Sequence, residues 1–527
     1  MTLNPAIKFN YMNNFTKAVG LACGITSLFG VQSCQPEQKQ ADKPNIIYIL
    51  ADDLGYGDLS CLNKESKIQT PNLDALANQS VVFTDAHTSS AVCTPTRYGI
   101  LTGRYNWRTK LKSWVLEGYS PELIPSDRST LASMAKEQNY ETACIGKWHL
   151  GWEWANIESG KDSVDFSQKI KNGPTSNGFD YFYGFSGSLD MPPYVWVEND
   201  QPTMVPTKVV DCGEERYGWF RDGVCAEDFN HEQALPQLAK RASNYIKDKA
   251  KNEKPFFLYF PLPAPHLPIL PTDEFKGKSG LDSPYADFVI MVDWVVGEVT
   301  KTLKEHGIED NTLIVFTSDN GCSPAVNYKQ LLSKGHNPSY KFRGTKADIF
   351  EGGHRVPFFI SWPNKIQPKE SQALISTTDF YATLADILNI PLKENEGEDS
   401  FSMLKVLGLD SDLPQRKSTV MHSGRGQFAY RKGDWKVCFC PGSGGWSYPD
   451  PGKDKEVILQ MPKVQLYNLK NDIAEKENLH ESYPEMITEL KEELSEIILS
   501  GRSTKGIPQK NDGPEYWEQL KFLKENK

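Results

Sequence analysis

The chain is punctuated by short, continuous apolar runs, each followed at once by charged or polar residues. Asn45-Ile46-Ile47-Tyr48-Ile49-Leu50 runs into Asp52-Asp53, and Thr142-Ala143-Cys144-Ile145-Gly146 into Lys147-Trp148-His149. Pro255-Phe256-Phe257-Leu258-Tyr259-Phe260 leads through a proline-rich turn to His266, and Thr312-Leu313-Ile314-Val315-Phe316-Thr317 leads to Asp319-Asn320-Gly321. Runs of this length, rich in β-branched and aromatic residues, predict buried strands. Long helical stretches separate them, for example residues 287–306. Such an alternation predicts an α/β domain with a mostly parallel sheet covered by helices on both faces. Ligands of such sheets bind beyond the carboxyl ends of the strands. Four strand ends that supply three acids, one amide, one lysine and two histidines therefore describe a site.

Residues 399–414 read as loop. Beyond them come short strands at 420–422, 435–440 and 465–469, then Met486, Leu490, Leu494, Ile497 and Ile498 at helical spacing over 485–499. This predicts a small α+β unit, an antiparallel sheet packed on a helix whose apolar stripe is core. The expected organisation is a large catalytic domain over 43–410 and a C-terminal subdomain over 411–527.

The N-terminus reads as a targeting segment, a signal peptide over 1–34. Lys8 and Lys17 precede an apolar stretch at 18–31 that is too short for a permanent membrane span. Val31-Gln32-Ser33-Cys34 resembles a bacterial lipobox, which would make Cys34 the lipidated first residue of an exported periplasmic or cell-surface lipoprotein. A plain signal peptide with an incidental cysteine is the alternative. The polar residues 35–42 read as a linker. Export permits disulfides, and Cys212 with Cys225, in a polar insertion, is the candidate pair. Cys438 and Cys440 alternate on an expected strand and so face one side; no cysteine spacing gives a zinc site. A net charge of −10 argues against general binding to nucleic acid or anionic membrane, so an anionic substrate must meet local positive charge.

Asp52, Asp53, Asp319 and Asn320 are hard oxygen donors, suited to Ca²⁺ or Mg²⁺ rather than zinc. Adjacent acids after strands also serve as turn or capping residues. Cys93-Thr94-Pro95-Thr96-Arg97 spells Cys-x-Pro-x-Arg and continues into Leu101-Thr102-Gly103-Arg104. As a bare thiol Cys93 is either a core cysteine or a nucleophile. Arg97, four residues on, shares a face with Cys93 if the segment is helical. Lys147 and His149 share a face if theirs is extended. His266 lies in Pro263-Ala264-Pro265-His266-Leu267-Pro268. Lys346 lies in Gly344-Thr345-Lys346, shortly before Glu351-Gly352-Gly353-His354-Arg355-Val356-Pro357.

This set of motifs resembles the type I, formylglycine-dependent sulfatases, over roughly residues 43–480. The resemblance implies the large α/β domain of the alkaline phosphatase superfamily with a small C-terminal domain. It implies one Ca²⁺ held by Asp52, Asp53, Asp319, Asn320 and residue 93. It also implies conversion of Cys93 to formylglycine by a formylglycine-generating maturase that reads Pro95 and Arg97. One hydroxyl of the hydrated aldehyde would attack sulfur, and the other would release the covalent sulfate. Within that scheme Arg97 lies near the metal and aldehyde, Lys147 binds the sulfate, and His149 is the base. His266 and Lys346 act on the ester, His266 as acid for the leaving alcohol.

Substrate choice is expected from the segment that starts at Gly178-Phe179-Asp180-Tyr181-Phe182-Tyr183-Gly184 and reaches Tyr194. Asp190 would accept hydrogen bonds from a sugar and Tyr194 or Trp196 would stack on it, with a structural role for each as the alternative, and His354 would touch the sugar. Ser188-Leu189-Asp190-Met191-Pro192-Pro193-Tyr194 resembles the galactose and N-acetylgalactosamine 6-sulfatases, and a bacterial lipoprotein of this family is expected to act on sulfated glycosaminoglycan or mucin-type glycans. Two other readings compete. A phosphomonoester or diester hydrolase of the same superfamily would want Ser or Thr as nucleophile. An inactive glycan-binding surface lipoprotein would have lost some of Asp52, Lys147, His266, Asp319 or Lys346; all are present.

Overall fold

The structure, a computed structural model, describes residues 43–211, 216–410 and 412–524. The expected signal peptide, Cys34, the linker and Cys212 lie outside the described residues. No helix among the described residues is long and apolar enough to cross a membrane.

The four apolar runs form Asn45–Ala51, Glu141–Lys147, Phe256–Pro261 and Thr312–Ser318. They lie side by side and parallel at the centre of a ten-stranded sheet, in the order Thr312–Ser318, Asn45–Ala51, Phe256–Pro261, Glu141–Lys147. Apart from half-buried Asn45 and Glu141 their residues are buried, which is why the runs are apolar throughout rather than alternating. Tyr181–Phe185 continues the parallel sheet beyond Glu141–Lys147. The expectation that this stretch selects the substrate is not met: Phe182, Tyr183 and Phe185 are core, Tyr181 packs against it, and the loop after the strand reaches the site through Ser188. At the other side Phe358–Ser361 pairs antiparallel with Thr312–Ser318, followed by Ser80–Phe83 and Lys369–Ser371.

The expected helix at 287–306 is Pro284–Glu305. Its start is set by Ser283, whose Oγ accepts from Ala286 N at 3.4 Å, and by Pro284 in the first turn. Helix Cys93–Thr102 is buried along its whole length. It stops at Gly103, where φ is 63° and a Cβ would lie 2.8 Å from the Tyr381 ring, so only glycine fits.

Strands Ser418–His422, Phe428–Lys432, Trp435–Cys438 and Gln465–Asn468 form an antiparallel sheet in that order. Helix Pro484–Ser500 packs Leu490, Leu494 and Ile498 into one cluster with Phe428, Tyr430 and Val437. This sheet belongs to the same compact unit as the large one, Lys43–Lys527. Cys438 and Cys440 share one buried cluster as free thiols. Cys225 is also a free buried thiol, its Sγ 3.4 Å from Ala226 O.

Candidate active site

The parallel ladder runs on past the strand ends and carries the polar residues into register. Asp52 N donates to Ala264 O (3.0 Å), Asp319 N to Ala51 O (3.1 Å) and His149 N to Ser186 O (2.9 Å). Asp53 and His149 then turn sharply, at φ 66° and 54°. Such left-handed backbone is uncommon for residues other than glycine and aims their side chains across the strand ends.

The structure brings Asp52, Asp53, Arg97, Lys147, His266, Asp319, Asn320 and Lys346 into one buried cluster. Arg97 Nε and Nη2 both donate to Asp319 Oδ2, at 3.0 and 2.7 Å, and Nη1 donates to Lys147 O at 3.1 Å. Lys147 Nζ donates to Asp52 Oδ2 at 2.7 Å and to Ser188 Oγ at 3.1 Å. Asn320 Nδ2 donates to Asp53 Oδ1 at 2.7 Å. Lys346 Nζ lies 2.7 and 2.9 Å from the two Asp53 oxygens. His266 Nε2 stands 3.8 Å from Asp53 Oδ2, and its Nδ1 donates to Leu267 O at 2.6 Å. Cys93 opens its helix fully buried, within the electrostatic reach of Lys147, Lys346, Asp319 and Asp52.

Burial opposes ionisation of Asp52, but Lys147, His266, Arg97 and Lys346 prevail and hold its carboxyl well below the usual range. Burial, and then the charge of Asp52, push Asp319 up to about 7 against the pull of Arg97. Burial raises the Cys93 thiol above its ordinary value despite both lysines, which disfavours a thiolate nucleophile. Burial, Lys147 and Arg97 push His149 well below its ordinary value, so its ring is neutral. Its Nε2 faces Leu116 O at 2.7 Å, and a carbonyl only accepts, so the proton sits on Nε2. Nδ1 is left as a buried lone pair without a hydrogen-bond partner.

Two further buried oxygens have no hydrogen-bond partner, Asp52 Oδ1 and Asn320 Oδ1. Ligand atoms of Asp52, Asp53 and His266 lie within 4.8 Å of one another. Carboxylate and amide oxygens left free beside paired ones fit a hard divalent cation.

Three expectations about the sugar are corrected. Tyr194 and Trp196 are buried, Tyr194 among Phe220, Phe229 and His231 and Trp196 against Tyr183 and Phe229, so neither offers a face to a ligand. His354 is fully buried as well. It belongs to a buried hydrogen-bond network: His87 Nε2 meets Asp85 Oδ1 (2.9 Å) and Arg431 Nη1 (3.1 Å), His87 Nδ1 meets His354 Nδ1 (3.0 Å), and His354 Nε2 meets Ile349 O (3.1 Å) and Lys436 Nζ (3.0 Å). Lys436 also meets Glu351 at 3.0 Å and Glu475 at 2.8 Å. Every ring nitrogen of the pair is used, so the network ties the small sheet to the turn behind Lys346 rather than binding substrate. Asp190, by contrast, is at the site, with Oδ1 4.0 Å from His266 Nδ1 and unpartnered, and Oδ2 held by Arg221 at 2.7 Å.

Ser188, expected only as part of the substrate-selecting stretch, is a member of the buried cluster itself. Its Oγ bridges Lys147 Nζ and His266 Nδ1, at 3.1 and 3.2 Å. The signal that would have found it is the strand Tyr181–Phe185, a fifth parallel strand end delivering polar residues to the same place.

A model of the family described as Sulfatase matches residues 44–390. The chain is 35% identical to the N-acetylgalactosamine-6-O-sulfatase of Bacteroides thetaiotaomicron, over 92% of this chain and 99% of that one. It is 31% identical to human arylsulfatase A, over 83% and 84%. A solved structure from work on the metabolism of multiple glycosaminoglycans by Bacteroides thetaiotaomicron superposes with a TM-score of 0.75 at 34% identity, covering 87% of this chain and 99% of that one. The crystal structure of Ps i-CgsB in complex with k-i-k-neocarrahexaose superposes with a TM-score of 0.64 at 26% identity, covering 89% and 95%.

Proposed function

We propose, from the premise that this chain belongs to the sulfatase family and is a sulfuric ester hydrolase, that it removes O-sulfate from galactose or N-acetylgalactosamine units of sulfated glycans. The observation that carries the reading is the pair of buried lysines, Lys147 and Lys346, clamped on an aspartate nest beside Cys93. The 6-position specificity of the Bacteroides relative supports the choice of sugar. The family match sets aside the phosphoester reading.

Asp52, Asp53, Asp319 and Asn320 would hold a Ca²⁺, and residue 93, matured to formylglycine, would complete its ligands. Together these groups would supply an acidified hydroxyl nucleophile at neutral pH. The chain's own residues do the rest. Arg97 fixes Asp319 through two hydrogen bonds to Oδ2 and so holds the orientation of a carboxylate that would be a metal ligand. Lys147 and Lys346 bind sulfate oxygens and the charge that develops on them. His149, neutral with Nδ1 open, takes up a proton there. His266, steadied by Leu267 O and Ser188 Oγ on Nδ1, presents Nε2 to the leaving oxygen and protonates it. Asp190 Oδ1 accepts a hydrogen bond from the sugar, with Arg221 holding the other oxygen. Export, and a lipid anchor at Cys34, would place the enzyme where large glycans arrive.

The test is production with and without a formylglycine-generating enzyme. The peptide containing Cys93 should carry an aldehyde only with the maturase, and hydrolysis of galactose and N-acetylgalactosamine 6-sulfates should rise with its occupancy. Full activity of Cys93→Ala refutes the chemistry; matured protein that acts on aryl sulfate and on neither sugar refutes the substrate.

A further inference from the structure

Two tryptophans flank Lys346 and take no part in the chemistry described above. Trp114 has φ 60°, a conformation rare and strained for a bulky residue. Strain of that kind persists only where the surroundings over-determine it. Here they do. Trp114 N donates to Gly424 O at 2.7 Å, and a Cβ on Gly424 would lie 3.1 Å from the Trp114 ring and 3.0 Å from Ala347 Cβ. Two residues on, Leu116 N donates to Thr94 Oγ1 at 3.2 Å, and Leu116 O holds His149. Trp446 arrives from the small sheet's side. Its N and that of Ser447 both donate to Asp348 Oδ1, at 2.9 and 3.0 Å. A Cβ on Gly445 would come within 2.3 Å of Ala347 O, and Ser447 Oγ lies 3.3 Å from Thr345 Oγ1. Both backbones are therefore pinned to the Thr345–Asp348 turn that carries Lys346.

The two rings stack with centroids 5.9 Å apart and 23° between planes. Arg425 lies over Trp114 at 5.2 Å and is tied to Asp450. Trp446 nevertheless stays 38% exposed, which a residue recruited only for core packing would not be.

We propose that Trp446, backed by Trp114, is a sugar platform that stacks on the pyranose ring next to the sulfated unit of the glycan. A pyranose presents one face of C–H groups, and a fixed indole offers a large apolar face at little entropy cost. Trp446 N bonds Asp348, two residues on from the sulfate-binding Lys346, so the indole is anchored to the turn that carries that lysine. The platform takes the sugar beside the sulfated one, which a small aryl sulfate or a monosaccharide lacks. The inference rests on the glycan-sulfate reading above.

The experiment uses the matured full chain with a chondroitin 6-sulfate tetrasaccharide and with N-acetylgalactosamine 6-sulfate. Trp446→Ala should raise KM for the tetrasaccharide about tenfold, the loss of one aromatic contact of ~1.4 kcal/mol. The monosaccharide KM should change by less than a factor of two, and Trp446→Phe should recover most of the tetrasaccharide effect. Calorimetric binding of both sugars to Cys93→Ala protein, with and without the Trp446 change, reads the same ratio without turnover. An equal effect on the two sugars, or none, overturns the platform alone. If the protein with Trp446 intact neither binds nor hydrolyses either sugar, the N-acetylgalactosamine part of the glycan-sulfate reading falls and the platform falls with it.

Discussion

Glu475→Gln should remove a loss of stability that the protein suffers as pH rises from 4.5 to about 7. Glu475 is fully buried; its Oε1 faces Lys436 Nζ at 2.8 Å, and its Oε2 accepts from Glu351 N at 2.7 Å. Lys436 cannot neutralise two acids, and Glu351, also beside His87, His354 and Arg431, is the one held ionised, well below its usual range. Burial, with the Glu351 charge added and Lys436 opposing, pushes Glu475 from 4.5 to about 7. A carboxyl with a raised folded pKa binds its proton more tightly in the folded than in the unfolded chain. Its contribution is therefore unpenalised below pH 4.5 and is lost progressively as pH rises to about 7. At 1.36 kcal/mol per unit the loss is about 3 kcal/mol. Glutamine keeps the acceptor for Glu351 N and has no proton to lose, so the variant should gain about 3 kcal/mol relative to the parent between pH 4.5 and 8. With about 2.1 cal/mol/K of unfolding entropy per residue, a unit of this size converts that into roughly 3 °C of Tm. Differential scanning calorimetry of both proteins at half-unit pH steps gives the difference curve. A difference independent of pH, or one that falls as pH rises, refutes the reasoning.

The other expectations concern the site. Chelation should abolish turnover of the matured enzyme, and Ca²⁺ should restore it; activity that survives dialysis against excess chelator, with metal analysis reading zero, would contradict the role given to Asp52 Oδ1 and Asn320 Oδ1. His149→Asn should lower kcat about 10²–10⁴-fold. Because His149 is neutral well below its ordinary value, that loss should be the same from pH 6 to 8 in a pH–rate profile. His266→Ala should reduce kcat/KM on a sugar sulfate more than on an aryl sulfate, since a phenolate leaves with little protonation and a sugar alkoxide does not; equal losses would remove it as the acid. Asp190→Asn should weaken the sugar ester more than the aryl ester in paired kinetics, because the unpartnered Oδ1 faces the leaving group.

The four central strands and the polar residues at their ends were legible because both signals are local. A run buried on both faces must be apolar along its length, and a parallel sheet must deliver its strand ends to one side, so Asp52, Lys147, His266 and Asp319 could be placed together before any fold was drawn. The Cys93 motif is likewise contiguous, and so is the apolar stripe of helix Pro484–Ser500. What the sequence by itself did not determine is which polar and aromatic residues face water. Tyr194, Trp196 and His354 look like sugar contacts in the chain, and packing buries all three. Lys436, 82 residues beyond His354, turns that histidine inward. Trp114 and Trp446 carry no local signal at all. They meet because two distant loops are both anchored to one short turn. Burial and ion pairing depend on contacts between residues far apart in sequence, so only the tertiary structure decided them.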